Sequence, residues 1–175
     1  GAVDLAATWA SATVAAEASA AGLATAMSPG AAFDHLDLQV GGGGVFDAAR
    51  YGGDEVAAAS VRRAFLLTVP RTAIAEQVGR DIGTAVAVRL DAVGADPPGS
   101  AAPAPAPPDA EAARALLAAA SGGPATVRVL LPAIDPRRAA EFDAIAASAA
   151  AAGFTVVPVT GEDWRGIRSA DPGAY

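Results

Sequence analysis

His35, Asp37 and Gln39 alternate with Leu36, Leu38 and Val40 in the segment HLDLQV. Alternation of this kind places the three polar side chains on one face of a strand and the aliphatic ones on the other. An imidazole, a carboxylate and a carboxamide on a common face could hold a solute by hydrogen bonds. A solvated face of a half-exposed strand would carry the same pattern. The three residues therefore stand as candidate ligand-binding groups beside a purely structural reading.

Catalysis finds less support. His35 is the only histidine, and the chain has no cysteine and no lysine, all twelve basic residues being arginine. That removes thiolate chemistry, a Schiff-base or P-loop lysine, and cysteine-type zinc sites. Ser11, Ser60 and Ser121 sit in no GxSxG elbow, and a single histidine is a meagre supply of bases. The acidic pairs Asp54–Glu55 and Glu162–Asp163 read as helix-start charges favoured by the macrodipole. No enzyme, resident metal or cofactor is expected.

The elements that would position these groups follow from length and patterning. The chain has 175 residues, sized for one domain, and is 53% hydrophobic but only 5% aromatic, with alanine dominating. Such a bias fits GC-rich coding and implies thin helices around a small set of Leu, Val, Ile and Phe. A net charge of −7, with no arginine cluster beyond Arg62–Arg63 and Arg137–Arg138, argues against nucleic acid, which needs a basic footprint. No stretch approaches the ~20 apolar residues of a membrane span, and no signal-peptide pattern opens the chain. Gly1 begins directly on an apolar segment and Tyr175 follows a turn-like DPG, so both ends read as cut.

Along the chain, Ala2–Ala6 reads as a strand. Residues from about Ser11 to Ala21 read as a helix, capped by Ser11 or Thr8 and stopped by Gly22. Phe33–Val40 is the strand with one polar face. Gly41–Gly44 reads as a flexible turn rather than a phosphate cradle, since no GxGxxG or GK[ST] accompanies it. Val61, Ala64, Phe65 and Thr68 form one helical stripe, which Pro70 interrupts. A second helix should start with Pro70 in its first turn, with Ile74 and Val78 on its apolar edge. Ala85–Leu90 is an ambiguous strand, and Ala95–Pro108 a Pro/Ala-rich loop. Asp109 caps a helix carrying Leu116 and Leu117 and ending at Gly122–Gly123. Thr126–Leu131, a helix opened by Asp135 and Pro136 with Phe142, Ile145 and Ala149 on one face, Gly153, and Phe154–Val159 make a βαβ unit, which predicts a parallel pair. Pro158 should end the second strand or mark an edge. A short helix around Asp163–Ile167 follows. Trp9 and Trp164 read as cleft aromatics or as anchors of helix to sheet.

This order of elements resembles one lobe of the family 5 extracellular solute-binding proteins, the peptide, nickel and oligosaccharide receptors of ABC importers. GAVDLA (Gly1–Ala6) is similar to the family's G-x-x-D hinge strand, and HLDLQV to the strand that follows. VRRAFLLTVPRTAI resembles the VRxA-(x)n-DRxxI signature, the most specific match. DAEAARALLAAA, VRVLLPA, AGFTVVPV and the Asp163–Trp164 pair resemble the later helix and the βαβ unit. Two departures stand out: Pro70 replaces the aspartate before the signature arginine, Arg71, and the loop Asp81–Pro108 does not match the usual connection.

The resemblance implies an α/β fold: a small mixed sheet with flanking helices, part of the second lobe of a two-lobed type II periplasmic-binding-protein architecture. Residues 1–175 would be a single fragment of that lobe, with 95–108 as its Pro/Ala-rich loop. It implies that His35, Asp37 and Gln39 border the interlobe cleft, Asp37 where some peptide receptors place a ligand-contacting acid, and that Arg71 bonds carbonyls or a carboxylate between helices. Family members continue past the position of Tyr175, where the acid that holds a peptide's amino terminus lies. The implied role is capture of a peptide or related small solute for an ABC permease, outside the cell and membrane-anchored in the complete protein. The other half of the cleft would come from the remaining lobe of the same protein. A cell-envelope scaffold or regulatory lipoprotein on the same fold is the alternative. A cut sheet edge is expected to be short or covered by self-association with another copy.

Overall fold

A computed structural model of the chain describes residues 12–26, 34–82, 105–132, 136–161 and 166. In chain order its elements are α1 (Ala12–Ala20), a 3₁₀ turn (Ala48–Tyr51), α2 (Glu55–Leu67), α3 (Arg71–Ile82), α4 (Ala110–Ser121), β1 (Ala125–Pro132), α5 (Pro136–Ala150) and β2 (Phe154–Gly161). The architecture is mixed α/β. The chain divides into two compact units, Gly1–Asp34 with Thr72–Ala104, and His35–Arg71 with Pro105–Tyr175. Among the described residues no helix is long and apolar enough to cross a membrane.

The first unit holds α1 and nearly all of α3. Alanine carries α1, the best helix former but a poor source of burial, and most of the helix is exposed. Gly22, at φ 68°, ends it in a Schellman arrangement: its amide bonds the Ser19 carbonyl, and the Leu23 amide bonds the Ala18 carbonyl. Along α3, Ala75 and Val78 are buried and Ile74 is half-buried, in keeping with the expected apolar edge. Gln77 donates to Asp81 and accepts from Arg80 on the same helix.

The second unit is organised around α2. Asp54 caps it, its carboxylate accepting the Val56 and Ala57 amides. Val61, Ala64, Phe65 and Thr68 are all at most 1% exposed, so the predicted stripe is the buried face. The helix ends without a C-cap glycine, yet its last carbonyls are partnered. Phe65 accepts from the Thr68 amide and hydroxyl, Leu66 from the Val69 amide and the Arg71 guanidinium, and Leu67 from the Asp109 amide. A buried helix end needs such partners. The Asp109 bond also fixes where α4 begins, because the Asp109 side chain caps that helix through the Ala112 amide.

α4 packs along α2, burying Ala113 and Leu117, and Gly122 closes it in the left-handed region. β1 and β2 then pair in parallel, from Ala125 opposite Phe154 to Pro132 opposite Gly161. α5 connects them and packs on both, burying Ile145 and Ala149. Gly153, at φ 96°, turns the chain from α5 into β2, and its carbonyl accepts the first amide of β1. The Arg114 guanidinium donates to the Ala151 carbonyl, tying α4 to this same turn. Phe154 opens β2 with its ring 5.5 Å from that of Phe65, edge to face.

Several expectations need correction. The strand expected at Phe33–Val40 does not form: residues 34–40 carry no regular structure and pair with no strand among the described residues. A strand is held by its ladder, and alternation alone does not supply one. Among the described residues the sheet is the parallel pair β1–β2. β2 runs through Pro158, opposite Val129, to Gly161, so of the two readings of Pro158 the strand end fails and the edge position holds, β2 being an edge strand of the described sheet. Pro70 precedes α3 rather than occupying its first turn, a shift of one position. The strands proposed at Ala2–Ala6 and Ala85–Leu90, residues 95–104 of the loop, Asp135, Trp9, Trp164 and most of the helix near Asp163–Ile167 lie outside the described residues.

Phe65→Ala should cost about 3–5 kcal/mol, the usual range for emptying a buried phenylalanine site, read by chemical denaturation. Gly153→Ala should cost about 1–2 kcal/mol. An added Cβ there would meet Leu117 Cδ2 at an ordinary 3.7 Å, so the loss would come from backbone conformation and a cavity-sized effect is not expected.

Candidate functional site

The candidate residues lie at the start of the second unit. His35 Nε2 stands 3.3 Å from Asp37 Oδ1, so the i, i+2 spacing does bring imidazole and carboxylate together. Their side chains are 56% and 76% exposed, and a pair so open to water gains little from Coulomb attraction. Leu36 and Leu38 are half-buried where His35 and Asp37 are exposed, which preserves the alternation through four residues. It then fails: Gln39 is half-buried and Val40 is 58% exposed. Gln39 is thus less open to solvent than His35 and Asp37, whose face it was expected to share.

The chain next enters the glycine run. Gly42 and Gly43 both take φ 76°, a region open to glycine and strained for other residues. The Asp47 carboxylate closes this turn, Oδ2 accepting the Gly43 amide at 2.8 Å and Oδ1 the Ala49 amide at 2.9 Å. Asp47 also caps the 3₁₀ turn, which ends at Gly52 in the left-handed region. The Gly43 amide is therefore engaged by a carboxylate of the chain itself, in the way a phosphate cradle would engage an external anion. That agrees with reading the run as a turn, though an anchored one.

Two further side chains fix this region to α2. Arg62 Nη1 donates to the Phe46 carbonyl at 2.8 Å, and its Nη2 lies 3.8 Å from Glu55 Oε2. The Phe46 ring, itself buried, sits 5.5 Å from Phe65. Tyr51 donates its hydroxyl to the Val45 carbonyl at 2.7 Å. Sequence reading missed Asp47, Tyr51 and this role of Arg62. A cap-to-stop signal was present in DAARYGG, where an aspartate precedes a short helical stretch and glycine follows it.

Arg71, assigned to bonding between helices, donates to the Leu66 carbonyl at 3.2 Å and so serves the end of α2. Among the described residues no cluster of three histidine or acidic side chains could hold a metal ion. The His35–Asp37 pair can offer a donor and an acceptor to a polar solute. No protein-family model matches the chain, and comparisons with curated proteins and with solved structures returned no match.

The electrostatics of the turn yield a pH test. The Ala49 and Gly43 amides, in that order, hold the Asp47 carboxyl below its ordinary value of 3.8. A depressed folded value means that the contribution to stability is present above the unfolded pKa and lost as pH falls through the folded one. Asp47→Asn should therefore be less stable than the parent at neutral pH, with the gap narrowing below about pH 4 in paired denaturation curves. Partial burial acts oppositely on Tyr51, raising its hydroxyl above 10.0 against the lowering influence of Arg50. Its neutral form is favoured in the fold, so its contribution should fade as pH rises above that value, and Tyr51→Phe should remove this alkaline dependence.

Proposed function

We propose that this chain is a portion of the second lobe of an exported, two-lobed type II solute receptor resembling the family 5 solute-binding proteins. It would take a peptide or related small solute and deliver it to an ABC permease. The observation that carries the reading is the succession of helices α2 and α3, separated at Thr68–Pro70, on the residues VRRAFLLTVPRTAI. The parallel β1–α5–β2 unit and the exposed His35–Asp37 pair add support.

In this mechanism the polar segment forms part of one wall of a cleft, and the remaining lobe of the same protein supplies the other. Solute contacts made only in the closed arrangement would shift the population towards closure. His35 and Asp37 carry the proposed contacts, with Gln39 a lesser participant because of its partial burial. Neither chemistry nor a cofactor is required, so the role is binding rather than catalysis. The protein would act outside the cell or in the cell envelope, attached to the membrane.

Pro70 favours a second reading, since the resembled signature has an aspartate there. A scaffold or regulatory lipoprotein could retain the lobe while dispensing with transport.

Thermal unfolding of the complete gene product against panels of short peptides and oligosaccharides separates the two. A receptor at 100 times the Kd should gain about 2.7 kcal/mol, visible as a raised Tm. His35→Ala with Asp37→Asn should reduce that rise. A Tm unmoved by every panel member would refute the receptor reading and leave the scaffold. A rise that persists in the double variant would remove the polar segment from the site.

A further inference from the structure

We draw no further inference here: the strongest candidate, the Arg137–Arg138 pair in the first turn of α5 beyond the C-terminal end of β1, is a helix N-terminus with no second observation that points to a ligand.

Discussion

The ring of Phe65 is the contact on which the second unit depends. It lies 5.5 Å from Phe46 on one side and 5.5 Å from Phe154 on the other, and is almost fully buried. Three elements distant in sequence meet there: the segment before the 3₁₀ turn, α2, and the first residue of β2. In a chain with 5% aromatic residues, few other side chains can span such gaps. Each ring removes a large apolar area from water, and tilted or edge-to-face geometry adds a modest further attraction. Alanine fills the remaining contacts, as at Ala58, Ala64, Ala113 and Ala149, allowing backbones to approach closely.

Polar bonding completes what the aromatic contacts begin. The last carbonyls of α2 accept from Thr68, Val69 and Arg71, which follow the helix directly, and from the distant Asp109. Because Asp109 both donates to Leu67 and caps α4, the end of one helix sets the start of another. Arg62, within α2, performs a similar task by donating to the Phe46 carbonyl. Among the described residues no buried side-chain nitrogen or oxygen lacks a partner. The candidate site differs in character: its His35–Asp37 pair is open to solvent, while the turn that follows is anchored through Asp47.

Legibility in the sequence varied with the range of the interactions involved. The stripe Val61, Ala64, Phe65 and Thr68 was readable because helical periodicity is local, and so were the Asp109 cap and the Gly122 and Gly153 stops. The βαβ unit followed from two β-branched segments on either side of a helix of the right length. Residues 34–40 were misread for the converse reason. Alternation specifies which faces a strand would have, but the ladder that makes it a strand belongs to another part of the chain. The site was legible as a composition of side chains and illegible as an arrangement: His35 and Asp37 meet, whereas Gln39 is half-buried.

The amino-acid order by itself determined the buried stripe of α2, the caps and stops at Asp109, Gly122 and Gly153, the proline break after α2, the parallel pair, and the exclusion of thiol and lysine chemistry. Those depend on backbone preference, short-range capping and residue inventory, which a linear string contains. Tertiary structure decided that Phe65 would join Phe46 to Phe154, that Arg62 would hold the Phe46 carbonyl, and that Arg71 would serve the end of α2. The aromatic and Arg62 contacts arise between segments well separated in sequence, whereas the Arg71 bond spans five positions across the break after α2. Packing density and the need to partner every buried polar group select them only after the elements have come together.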